Sequence, residues 1–112
     1  MKQIFVSIQN SLLSAAIIRC LKSQGEFSVV GTVEDADIVL MEACYGTRAS
    51  LDECLKKVKS LGPGCRVVLL CDENSAPEVA RRVVQAKKDG LIDDFVYSSV
   101  SETYLTAMLS AL

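Results

Sequence analysis

Glu42 is the residue of this chain best placed to do chemistry. It follows an unbroken apolar run, Ile38, Val39, Leu40 and Met41, and leads into a polar stretch holding Cys44, Tyr45 and Gly46. A run of that length predicts a central strand buried on both faces of a parallel sheet. In open parallel sheets the working groups sit just beyond the carboxyl ends of the strands. Glu42 is therefore a working group or the relic of one. By the same reading Cys44 and Cys71 lie near that edge. A reactive thiolate needs a cationic neighbour or a helix N-terminus. Arg48 supplies a cation, whereas Glu42 and Asp72 oppose it, so both cysteines read as small buried hydrophobes; a redox switch is the other reading. The chain contains no histidine, which removes the usual general base and the usual transition-metal ligand.

The elements that would position these groups must fit in 112 residues, a length that suggests one domain over 1–112. Half of the residues are hydrophobic, enough for a proper core, and a net charge of -2 gives no field for nucleic acid or anionic lipid. No signal peptide is visible, and no apolar run approaches the ~20 residues of a membrane helix. The five cysteines show no metal-type pairing, which points to a reduced, cytoplasmic setting without a metal or other cofactor.

In chain order, Gln3–Ile8 reads as a strand. Asn10 or Ser11 caps a helix whose apolar positions Leu12, Leu13, Ala16, Ile17, Cys20 and Leu21 repeat at helical spacing down to Gly25. Phe27–Val33 is a second strand, followed almost at once by the central one. A capping box, Ser50 to Glu53, opens a helix with Leu51, Cys54, Leu55 and Val58 inward, stopped before Leu61-Gly62-Pro63-Gly64. Arg66–Cys71 is a fourth, fully buried strand. A second box, Ser75 to Glu78 with Pro77 in the first turn, opens a helix to Gly90. Phe95–Tyr97 is a fifth strand. A third box, Ser99 to Glu102, opens a last helix with Tyr104, Leu105, Met108, Leu109 and Leu112 inward. Alternating strands and helices imply an α/β fold with a parallel sheet and right-handed crossovers.

Along nearly its whole length the chain resembles the receiver domains of two-component response regulators. Asp37–Met41 is similar to the family's DIVLLD strand, which puts Glu42 at the phospho-accepting aspartate. Gln3–Gln9 is similar to ILIVDDE, which puts Ser7 and Ile8 at the two metal-binding acids. Val67–Cys71 puts Cys71 at the switch threonine or serine. Residues 93–99, DDFVYSS, are similar to DDYLVKP, which puts Phe95 at the switch aromatic, Ser98 at the lysine and Ser99 at its proline. The resemblance implies a CheY-like (flavodoxin-like) three-layer fold with a five-stranded parallel sheet in the order 2-1-3-4-5. The hydrophobic framework fits and the catalytic set does not: a hard divalent cation wants oxygen ligands, and isoleucine offers none. Asp72 adds negative charge where phosphate would arrive. The chain is thus similar to an atypical receiver, or pseudo-receiver.

The resemblance implies a non-enzymatic regulatory module that signals through a protein partner or as a homodimer, independently of phosphorylation. The N-terminal part of a transcriptional regulator is one setting for such a module. Glu42 would then mimic a phosphorylated aspartate or be its relic; without a lysine at Ser98 to read the charge, the relic is favoured. Phe95 reads as core or fixed interface. Arg81, Arg82, Lys87 and Lys88 form either a solvated face or a partner surface, since receivers often dock through this helix, the fifth strand and the last helix. The reading from another class is a small flavodoxin-like enzyme or phosphocarrier using a cysteine thiol, weakened because the loop after the first strand has neither cysteine nor glycine. The connection between the second and third strands departs from the family pattern in length: only Gly31–Ala36 spans it, where parallel neighbours need a dozen or more residues. The second helix should be missing or shortened, the second strand short, and the sheet face beside the first and third strands short of a cover. A homodimer, a docked partner or a shifted neighbouring helix would then fill that gap.

Overall fold

The computed structural model describes residues 2–8, 11–42, 48–71, 77–97, 99 and 101–112, with the backbone alone for 48–52, 54 and 77–79. Strands and helices alternate: β1 (Lys2–Ser7), α1 (Ser11–Gln24), β2 (Phe27–Val29), β3 (Ile38–Glu42), α2 (Arg48–Leu61), β4 (Arg66–Cys71), α3 (Pro77–Lys88), β5 (Asp94–Tyr97) and α4 (Glu102–Ser110). All sheet pairings are parallel and the strand order is β2-β1-β3-β4-β5.

The central strands are buried on both sides because each carries apolar residues at every position. Val39, Met41, Val67, Leu69 and Cys71 pack with Leu55 and Val58 of α2 and Val83 and Ala86 of α3. Ile38, Leu40, Val68 and Leu70 pack on the opposite face with Ile17 and Leu21 of α1 and Leu105 and Leu109 of α4. Two of the expected helix stops are glycines in the left-handed region, Gly25 at φ 73° and Gly90 at φ 77°, where a side chain would be strained. The lower edge of the sheet is closed by two aspartates used alike. Asp37 Oδ2 accepts from the Gln3 amide at 3.0 Å, and Asp93 Oδ2 accepts from the Val67 amide at 2.7 Å. Each aspartate's own amide donates back to the same residue's carbonyl.

Between β2 and β3 the chain makes only turns and bends over residues 31–37, so the second helix is missing and the described residues form four helices. β2 pairs with β1 over three residues instead of the seven of Phe27–Val33, because the chain must leave the sheet early to cross over β1. The gap beside β1 is not the apolar patch that the missing helix implies. Val33 turns inward against the α2–β4 connection, and a Cβ on Gly62 would stand 3.2 Å from both Val33 Cγ1 and its carbonyl oxygen. Ala36 and half-buried Phe5 pack on the same cluster, and the remaining β1 positions on this face, Gln3 and Ser7, are polar and exposed.

Some boundaries and faces differ from expectation. α2 begins at Arg48, which puts residue 50 inside its first turn; Asn10 and the Ser75 box lie outside the described residues. The last helix is capped by Ser101, not Ser99: Ser101 is extended (φ -66°, ψ 151°) and its hydroxyl oxygen accepts from the Tyr104 amide at 3.1 Å. That helix is also rolled relative to its apolar pattern. Tyr104 points to solvent, 57% exposed, and Thr106 is buried. The physical reason is hydrogen bonding. Thr106 Oγ1 satisfies itself on the Glu102 and Thr103 carbonyls, whereas a phenol turned inward needs a partner. Leu12 of α1 is likewise outward, 83% exposed.

Candidate functional site

Sheet register brings Ser7, Glu42 and Cys71 to one edge. Ser7 pairs with Met41, Glu42 with Leu70 and Cys71 with Tyr97, so the carboxyl ends of β1, β3, β4 and β5 line up. Glu42 is the last residue of β3, not the first beyond it, and is half-buried. Strand alternation divides the set between two faces. Ser7 and Cys71 share parity with the α2/α3 side; Ile8 and Glu42 share parity with the α1/α4 side, where Ile8 packs on the core. Ser98, Cys44 and Asp72 lie outside the described residues, as does the Arg48 side chain.

The described residues at this edge do not suit a divalent cation. At this edge the described oxygen ligands are the exposed Ser7 hydroxyl and one carboxylate, Glu42, with the hydrocarbon of Ile8 beside them. No cluster of three or more histidine, cysteine, aspartate or glutamate side chains capable of holding a metal occurs among the described residues. A hard cation binds several oxygens, usually more than one of them anionic.

Cys71 is 3% exposed and burial pushes its thiol up to about 11. The thiol is therefore protonated at neutral pH, which suits a packing residue better than a nucleophile. Burial also raises the thiols of Cys20 and Cys65. Phe95 pairs in register with Leu69, two residues short of the edge, and packs on the α2/α3 cluster. Its ring meets Tyr97 edge-on at 6.3 Å between centroids, and Lys87 Nζ stands 5.8 Å from its centroid while pairing with Asp94 at 3.1 Å. These contacts favour the ring in this position.

Two features carry no local sequence signal. Lys2 Nζ donates to the carbonyls of Leu109, Ser110 and Leu112, capping the end of α4 from a strand more than a hundred residues away. Tyr97 and Tyr104 stand out from β5 and α4, 47% and 57% exposed.

Compared with solved structures, the chain is similar to a response regulator from Thermotoga maritima, with a TM-score of 0.75 and 14% identity over 99% of this chain and 96% of that one. It is similar to the isolated REC domain of RcsB from Salmonella enterica serovar Typhimurium, at TM-score 0.72 and 18% identity over 98% and 86%. The fold is the receiver fold. An adenylate cyclase from Rhodopirellula baltica has the same shape, at TM-score 0.75 and 13% identity over 98% and 85%. At these identities the likeness concerns fold alone, and the receiver fold by itself assigns no chemistry. No family model matches the sequence, and no curated protein matches it.

Proposed function

We propose that this receiver fold serves as a non-enzymatic regulatory module that works through protein contact and does not depend on phosphorylation. The observation that supports the reading is the end of β1, where the resemblance puts Ser7 and Ile8 at the two metal-binding acids and half-buried Ile8 packs against the core. Glu42 is a relic in this reading. The buried, protonated Cys71 speaks against the thiol enzyme.

The contact surface would be the α3–β5–α4 side. Of the five large hydrophobic side chains that stand exposed among the described residues, Val84, Tyr97 and Tyr104 belong to these three consecutive elements. Exposed tyrosines bring area at low entropic cost and keep a polar tip for the rim. A homodimer or a partner protein would bury them.

The test is association measured by light scattering across concentrations. Tyr97→Arg and Tyr104→Arg should weaken self-association or partner binding, and Glu42→Gln should leave it unchanged. A mimic would behave otherwise, because couplings between a switch and its interface run to about 1–3 kcal/mol. A tenfold loss in Glu42→Gln would make that carboxylate part of the active assembly.

A further inference from the structure

Helices α2 and α3 cover the same sheet face and carry eight of the chain's twelve lysines and arginines against three of its fourteen carboxylates. The strands and connections hold ten carboxylates and only Lys2 and Arg66 as cations. A protein of net charge -2 thus segregates its charge.

Helical spacing places several of these cations in the seam between the two helices. Lys87 turns towards Asp94 and Phe95 of β5. Arg82, about 140° round the same helix, therefore turns towards α2. On α2, Lys59 reaches the Cys65 carbonyl at the start of β4, 3.1 Å away, and so faces α3. Lys56, one turn earlier, lies on that side too. Arg81 and Lys88 stand on the outer surface of α3. The acceptor of Lys59 is neutral, so its charge is not cancelled. Among the described residues, Lys56, Lys57, Arg81, Arg82 and Lys88 have no carboxylate within ion-pair distance. Glu53, exposed on α2 a turn from Lys56 and Lys57, is the one carboxylate on these helices whose side chain is described.

We propose that the seam between α2 and α3 binds a short acidic polypeptide segment. The cationic stretch is short, ~10 Å along the helix axes. It is bounded at its lower end by carboxylates, Asp89, Asp93 and Asp94. A polynucleotide carries charge continuously and would run on into these acids. A few glutamates or aspartates in an extended or helical segment match its short length and stop short of those acids, and charge complementarity sets their register. This surface is distinct from the tyrosines of β5 and α4.

The test is titration of octaglutamate into isotope-labelled full chain at about 0.15 M salt, followed by amide shifts. Saturable shifts on residues 53–60 and 80–88 are expected. The double variant Lys56→Gln/Arg82→Gln should bind roughly fivefold more weakly, as exposed charge pairs imply. Tyr104→Ala should bind as the parent does, which separates this surface from the α3–β5–α4 contact. No saturable shifts, shifts confined to β5 and α4, unchanged binding by the double variant, or tighter binding of a single-stranded DNA oligonucleotide would each overturn the proposal.

Discussion

Leu40→Ala and Leu69→Ala should each lower the unfolding free energy by about 3 kcal/mol, the usual cost of deleting a buried leucine and leaving a cavity. Both side chains are fully buried, on adjacent central strands, but they face opposite layers: Leu40 meets α1 and α4, Leu69 meets α2 and α3. A sheet solvated on one side would tolerate one of the two changes. Here both faces are roofed, so the costs should be alike, and nearly additive because the cavities open into separate clusters. Urea unfolding of the single and double variants measures this. A near-neutral result for either single variant would contradict the two-sided packing.

The second large effect is alkaline. A thiol with an ordinary value of 9.0 is held protonated to about 11 at Cys71 by burial. Below pH 9 the folded and unfolded chains hold that proton equally and the contribution is complete. Between pH 9 and 11 the unfolded chain releases the proton while the folded chain keeps it, so unfolding becomes easier as pH rises. The loss attributable to this group is roughly 2 kcal/mol across that window. Comparing Cys71→Ala with the parent isolates it from the lysines and tyrosines that titrate nearby. The variant should lose correspondingly less stability between the two pH values. An equal loss would mean that the Cys71 thiol ionises as freely folded as unfolded. The same shift predicts slow reaction of Cys71 with thiol reagents until the fold opens.

The strands and helices were legible because their signals are local. Ile38–Met41 and Val67–Cys71 are uninterrupted apolar runs, and Gly25 and Gly90 stop helices by taking a conformation that other residues resist. The missing helix could be read from chain length alone, since residues 31–36 are too few to form one and still cross β1. What covers the gap could not, because Val33 docks against Gly62 and Cys65 through a contact between two irregular connections. The roll of α4 was hidden for another reason. Tyr104 and Thr106 compete for an inward position, and the outcome depends on which hydroxyl can be satisfied by its own helix. The Lys2 cap on α4 joins opposite ends of the chain and has no pattern at all. For the site, Glu42 was legible as a carboxylate at a strand end, but the meaning of Ser7 and Ile8 came only from the family resemblance. Nothing in the spacing of a hydroxyl and an alkyl group marks the places of missing acids.

The proposed loss of phosphoryl chemistry from this receiver fold is tested most directly by exposure to small phosphodonors. The full chain is incubated with acetyl phosphate and magnesium, and separately with a beryllofluoride mixture, while intact mass and amide shifts are recorded. Half-buried Ile8 packs against the core where the resemblance puts a metal-binding acid, and Glu42 is the one carboxylate at this edge among the described residues, so an unchanged mass and an unchanged spectrum are expected. A stable phosphoryl adduct, or saturable shifts centred on Glu42, would contradict that loss.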